Sequence, residues 1–296
     1  MNVKTFVVQE YNPYIDSALA ISTRNGYHKL WKKYESYISA CDLDIRVSDA
    51  QKILNRIAGE NPHLRKTSLY HIKNFFSGVW SHAVRIDQTP RNPWAGHSVS
   101  IPVAPDPGET WAYSPAEIEI ILSAVPAPAD LVVFLAACTG LRKSEIRGLK
   151  WQDWDSSQRV LHINRAVWRT TTKTTKSKAS KAPVLVIEPL AAKLDSLKKS
   201  SERFIFSNSV GGALDLDNLA RRVIIPALAG TDVRWKGYHA FRRGLATWLH
   251  SQDVDPKTIQ TILRHGDMAT TMRCYVKTVP ESVRKAMQSV TFGGKQ

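Results

Sequence analysis

Apolar residues recur at helical spacing through much of the first hundred positions. In STRNGYHKLWKKYESYI, residues 22–38, Tyr27, Leu30, Trp31, Tyr34, Tyr37 and Ile38 share a face, behind polar Ser22 and Thr23 that can cap the first turn. SDAQKILNRIAG, 48–59, starts with Ser48 and Gln51 at the spacing of a capping box and stops at Gly59. RKTSLYHIKNFFSGVWSHAVR, 65–85, predicts a third amphipathic helix with Leu69, Ile72, Phe76, Val79, Trp80 and Ala83 on its apolar side. Arg65, Lys66, Lys73 and Arg85 are assigned to its other side. The stretch 89–109 then holds five prolines and no period, which predicts an extended linker.

A new pattern begins at SPAEIEIILSAV, where Ser114, Pro115 and Glu117 spell N-cap, first helical position and capping-box acid. ADLVVFLAACTG, 129–140, is an apolar helix ending at Gly140. Short alternating runs predict strands near 159–167, 182–188 and 203–207. Between the first two lies WRTTTKTTKSKASK, 168–181, basic and without an acid, read as the tip of a hairpin. Everything from residue 215 on reads as helices. The expected fold is mainly α with a small β-sheet: a helical domain over 1–106 and an α+β domain over 107–296.

Charge narrows the function. Forty-one Lys and Arg stand against 26 Asp and Glu, a net +15 with a sequence pI near 9.8. Such an excess attracts polyanions, of which nucleic acid is the commonest. Three dispersed cysteines with no C-x-x-C pair argue against a zinc site or a disulfide framework and fit a reducing compartment. No apolar run is long enough to span a membrane and no signal-peptide core opens the chain, so a cytoplasmic location is expected. No glycine-rich phosphate loop or carboxylate cluster for Mg²⁺ is evident.

Three segments carry candidate chemistry. TGLRKSEIRGLKW, 139–151, breaks a buried helix and then presents Arg142 and Glu145 three apart, so the carboxylate can orient the guanidinium. GYHAFRRGLATWLH, 237–250, places His239 and Arg242 three apart, with Ala240, Phe241, Leu245, Ala246, Trp248 and Leu249 as packing. A guanidinium binds phosphate in a planar fork, and an imidazole donates or moves a proton. In DPKTIQTILRHGDMATTMRCYVK, Asp255 and Pro256 open a helix whose buried side is Ile259, Ile262 and Leu263. His265 follows it, and Tyr275 sits ten residues later. A phenol ionises near pH 10, so Tyr275 needs cationic surroundings to act as a nucleophile.

In this order, TGLRKSEI, HAFRRGLAT and LRHGDMATTMRCY resemble the three boxes of the tyrosine recombinases, the phage integrase family, over about residues 110–280. The helical N-terminal module is similar to the family's core-type DNA-binding domain. The resemblance implies that Arg142 and Arg242 clamp one DNA phosphate, His239 assists proton transfer, His265 donates to the phosphate and Glu145 supports Arg142. Tyr275 would attack phosphorus to give a 3′-phosphotyrosyl link, with neither ATP nor metal. A hairpin lysine would protonate the leaving 5′ oxygen; comparison of KSKASKAPVLV with the family pattern favours Lys176, with Lys173 second. The partner would be double-stranded DNA, contacted through Lys66, Lys73 and Arg85 and through Lys173, Lys178 and Lys181, with affinity falling steeply with salt. The protein would be a monomer in solution that assembles to a tetramer on DNA.

Three departures from the family pattern stand out. Arg264 replaces the usual glycine before His265, a change expected to touch the helix end more than the chemistry. HAFRR stands where HDLRR is common, and Tyr275 falls one residue later after the Thr pair, leaving Cys274 in the common place. About 15 residues precede the first predicted helix, so no further arm-binding domain is expected. The tail after 278 either folds back on its own domain or reaches a neighbouring protomer. Chromosome-dimer resolution, a topoisomerase-like activity and a catalytically inactive DNA-binding relative are the alternatives.

Overall fold

The computed structural model describes residues 1–106, 108, 110–169, 171–174, 182–197 and 203–275; the side chains of 173, 174 and 273–275 lie outside that description. Two compact units meet in the sequence at residues 109 and 110. Helices dominate both, and the strands are few and short.

The first unit is all-helical: α1 (Val3–Phe6), a π-helical turn (Val7–Tyr11), α2 (Asn12–Ala18), α3 (Ile21–Tyr34), α4 (Val47–Glu60) and α5 (Lys66–Arg85). The chain is thus helical from its third residue, where no helix was expected. Val3, Phe6, Val7, Tyr11 and Ile15 recur at helical spacing and are all buried, and Pro13 is tolerated because it falls in the first turn of α2. Leu69, Ile72, Phe76, Val79, Trp80 and Ala83 are the buried side of α5, as its period predicts.

Several N-terminal expectations need correction. Helix α3 begins one residue ahead of Ser22 with no side-chain cap. Ser48 and Gln51 form no capping box: α4 begins at Val47, and Asp49 accepts the Arg46 amide at 3.2 Å. Gln51 instead pairs with the backbone of Ser100, accepting its N–H at 2.7 Å and donating to its carbonyl at 3.0 Å. That bond belongs to a wider finding, since the supposed linker is part of the core. Trp94 and Val99 are fully buried, with the Trp94 ring 4.9 Å from Phe76 and 6.1 Å from Trp80.

Lys73 is the clearest reversal. Placed by sequence on a DNA-facing side, it is buried, and its ammonium donates to the carbonyls of Gly96 and Val99 at 2.7 Å each. Its charge is used to hold the 96–99 stretch against α5, so it is not available to a phosphate. Arg85 packs over the Tyr14 ring at 4.5 Å and meets His82 Nδ1 at 3.2 Å. Lys66 is half-buried and pairs with Asp106 at 2.8 Å.

The second unit opens on α6 (Pro115–Ala124), where the predicted capping box is complete: the Ser114 amide donates to Glu117 at 2.9 Å and the Glu117 amide to Ser114 Oγ at 3.2 Å. Helix α7 (Ala129–Thr139) runs through the core and packs against α12 (Tyr238–Ser251). Helix α8 (Lys143–Gly148) leads to β1 (Trp154–Asp155), β2 (Val160–Leu161), β3 (Arg165–Trp168), β4 (Thr171–Thr174) and β5 (Val184–Leu185). These form an antiparallel sheet β1-β2-β5 and a separate hairpin β3-β4. The 203–207 run makes only isolated bridges, Phe204 to Lys150 and Ser207 to Ala213. Helices α9 (Glu188–Leu197), α10 (Leu216–Leu219), α11 (Ile225–Ala227), α13 (Pro256–Leu263) and α14 (Met268–Tyr275) complete the unit. Ile262 and Trp248, expected inside, are exposed. No helix among the described residues is long and apolar enough to cross a membrane.

Candidate active site

The site is assembled where three helix ends meet. Helix α7 is apolar apart from Asp130 in its first turn and Thr139 at its end, most of it is buried, and it must stop abruptly. Gly140 stops it in the left-handed region, at φ 60° and ψ 20°. A Cβ there would also stand 2.8 Å from Leu263 Cδ2 and 3.2 Å from Leu245 Cδ2, side-chain ends that can shift, so it is the left-handed backbone that calls for glycine. Two residues on, Arg142 heads α8. Its backbone N–H donates to Glu145 Oε2 and its Nη1 to Oε1, both at 2.9 Å. The Glu145 side chain is only 4% exposed, whereas that of Arg142 keeps 33%. The carboxylate is therefore a buried rest for a guanidinium that still faces solvent.

Glu145 has a second cation. Arg264 Nη2 donates to Oε2 at 2.7 Å from a side chain that is 1% exposed. Burial alone would raise the Glu145 carboxyl, but the charge of Arg264, then the amide and charge of Arg142, hold it below its ordinary value. The expectation that Arg264 matters mainly to the helix end is thus corrected. It does end α13 in the left-handed region at φ 54°, and it also enters the charge network.

Arg242 is buried on α12. Its Nη1 donates to the Gly140 carbonyl at 2.6 Å, its Nη2 to the Leu263 carbonyl, and its Nε to His265 Nε2 at 3.1 Å. A guanidinium only donates, so His265 Nε2 is the acceptor, and the ring proton sits on Nδ1, facing Thr271 Oγ1 at 2.8 Å. Burial first, then the charges of Arg242, Arg142 and Arg264, push His265 down to about 4, which keeps the ring neutral near pH 7. His239, on the same helix, is exposed; partial desolvation and then the charges of Arg243, Arg242, Arg142 and Lys143 lower its pKa. His265 is followed after two residues by α14, whose last residue is Tyr275. Arg142, Glu145, Arg242, His265 and the start of the tyrosine-bearing helix are thus one connected cluster.

Residues 114–281 match the phage integrase family. The chain belongs to that family. It is 25% identical to the tyrosine recombinase XerC-like protein of Caldanaerobacter subterraneus subsp. tengcongensis, over 87% of this chain and 75% of that protein. It is 27% identical to the tyrosine recombinase XerA of Thermococcus kodakarensis, over 60% of this chain and 61% of that protein. In fold it is similar to the Tn1549 transposon integrase in complex with transposon right end DNA, at a TM-score of 0.80 and 19% identity, covering 98% of this chain and 99% of that one. A lambda integrase dimer bound to a COC' core site aligns at a TM-score of 0.67 and 16% identity, covering 100% of this chain and 80% of that one.

Within this phage integrase fold the hairpin differs from expectation. Strands β3 and β4 turn through Arg169, itself left-handed at φ 52°, and Lys173 pairs across the ladder with Ala166. Lys173 therefore stands on a strand, not at a tip. Its side chain, those of Cys274 and Tyr275, and all of Lys176, Lys178 and Lys181 lie outside the described residues. The hairpin is tied to the arginine helix by Arg165, which donates to Gly148 O at 3.2 Å and pairs with the buried Asp153. Arg264 and Thr271 are members of the site that sequence reasoning passed over. The first carried a signal, an arginine where the family pattern has glycine; the second is one of the threonines of the third box. Among the described residues no three His, Cys, Asp or Glu side chains are placed to hold a metal ion.

Proposed function

We propose that this chain is a site-specific DNA recombinase that cuts and rejoins double-stranded DNA through Tyr275. The observation that carries the reading is the union of Arg142, Arg242 and His265 around one spot, with the Tyr275 helix starting three residues after His265. In the reaction, the Tyr275 oxygen attacks the scissile phosphorus and loses its proton, with His239 assisting. The bond from phosphorus to O5′ breaks, and the departing O5′ takes a proton from Lys176, with Lys173 as the second candidate. A 3′-phosphotyrosyl link and a free 5′ hydroxyl result, and a hydroxyl from a second strand reverses the step.

Charge on the pentacoordinate phosphorus is met by the two guanidiniums, which are fixed before the substrate arrives. Arg142 reaches solvent at 33% exposure while its carboxylate partner does not, the orientation a phosphate clamp needs. For His265 to donate to the phosphate, Nε2 must gain a proton, and an incoming phosphate both attracts Arg242 and favours that protonation. Both the likeness to DNA-bound integrases and the net +15 support DNA as the partner. Assembly of four protomers on DNA belongs to the same proposal. A suicide DNA duplex, nicked beside the cleavage site mapped on DNA flanking the gene, tests the reading. The protein should become covalently attached, while Tyr275→Phe should not. An adduct that persists in Tyr275→Phe, or none with the native protein, would overturn the assignment.

A further inference from the structure

The Glu145 carboxylate links two segments 119 residues apart, the start of α8 and the end of α13. Its four acceptor positions are nearly filled, by the Arg142 side chain, the Arg142 amide and the Arg264 side chain. The two arginines differ in what they can reach. Arg142 keeps a third of its side chain in solvent, whereas Arg264 is 1% exposed and directed at the carboxylate. Arg264 holds this position from a left-handed backbone, φ 54° and ψ 45°, where a side chain is disfavoured and glycine is at ease. Glycine would suit the backbone there but could not touch Glu145.

We propose that Arg264 is a positioning residue for the recombination chemistry: through Glu145 it fixes the Arg142 guanidinium in place and offsets the carboxylate charge, so that Arg142 keeps its positive field toward the phosphate. With Arg264 present, two guanidinium charges stand against one carboxylate. Without it, the pair of Arg142 and Glu145 is neutral overall, and an anion approaching Arg142 also meets the buried carboxylate charge. The same contact joins the arginine half of the site to the half that carries His265 and Tyr275, because Arg264 immediately precedes His265. The assignment rests on the recombinase reading and deepens it.

The test uses the full chain and a suicide duplex in single-turnover mode, with DNA affinity and thermal unfolding measured beside the rate. Arg264→Gly should slow adduct formation about tenfold, the scale of a small misplacement of a reacting group, while DNA affinity stays within about twofold. Arg264→Lys, which keeps the charge, should recover more than half of that loss on a logarithmic scale. In a Glu145→Gln background, Arg264→Gly should cost nothing further, since the link it acts through is already gone.

The pH profile separates positioning from plain stability. The charged and titratable groups around Glu145 are Arg142 and Arg264, with Arg242 and His265 beyond them. Removing Arg264 takes away a cation that holds the carboxyl low, so Glu145 protonates at higher pH and the acid limb of the rate moves upward. A role in folding alone would lower the reacting fraction, read as burst amplitude and thermal unfolding, and leave the rate constant of the folded fraction with its native acid limb. The proposal is overturned if Arg264→Gly reacts at the native rate with an unmoved acid limb, if its effect is the same in the Glu145→Gln background, or if Arg264→Lys does no better than glycine. Should Arg264→Gly fail to fold, Arg264→Lys decides alone: a native acid limb with a rate reduced less than tenfold supports the proposal, and a shifted limb overturns it. A native protein that forms no adduct would instead sink the recombinase reading.

Discussion

Replacing Gly148 with alanine tests how the β3-β4 hairpin is held against the helix that carries Arg142. A Cβ at Gly148 would stand 2.6 Å from the carbonyl oxygen of Arg165 and 3.0 Å from its carbonyl carbon. Ordinary carbon–oxygen contacts begin at about 3.3 Å, so the backbones must part by roughly 0.7 Å, and a main-chain oxygen cannot rotate out of the way. Overpacking of this kind costs about 1–3 kcal/mol. Parting α8 from β3 also weakens the bond from Arg165 Nη1 to the Gly148 carbonyl, worth about 1 kcal/mol. Gly148 is not left-handed, so the alanine itself returns about 0.5–1 kcal/mol of helical preference. The net loss is about 2 kcal/mol, which in a domain of this size lowers the unfolding midpoint by roughly 4–8 °C. Gly26→Ala on α3, where nothing lies within 4 Å of the new Cβ, is the control and should be neutral or stabilising. Calorimetry of the three proteins decides it, and a Gly148→Ala protein melting at or above the native midpoint would refute the packing argument.

The remaining predictions concern charge. The His265 pKa is pushed down to about 4, while in the unfolded chain it titrates near the usual 6.5 or so, so the unfolded state takes up the proton first as pH falls. Its contribution is therefore present above the unfolded value and lost between there and about pH 4, at about 1.4 kcal/mol per pH unit. Urea unfolding across that window should show a shallower slope in His265→Gln, and an identical slope would contradict the burial of a neutral ring. Lys73→Met should destabilise the first unit by about 1–3 kcal/mol, because the buried Val99 carbonyl loses its donor. The salt dependence of DNA binding should not change; a decrease in its slope by about one would return Lys73 to the phosphate contacts.

What was legible in the sequence is what is local. The Ser114 and Glu117 cap and the apolar face of α5 each complete themselves within a few turns of one helix, and each stands in the structure where its spacing puts it. Within the boxes the Arg142–Glu145 pair, three residues apart, does the same. The errors share a different cause. Lys73 lies one helical turn from both Leu69 and Phe76, so by geometry it sits on the apolar stripe, yet its charge argues for the surface. What reconciles the two is a pair of carbonyls supplied by a segment whose prolines and lack of period suggested a linker. Neither misreading can be repaired alone, because a lysine is buried only where distant acceptors come to it, and an aperiodic segment joins a core only through anchors such as Trp94. Arg264 repeats the lesson inside the site. Its departure from glycine is visible in the third box, but the carboxylate that gives it meaning belongs to the first. Each box can be read alone, but the Arg264 contact to Glu145, made from a position where the family pattern has glycine, exists only between boxes.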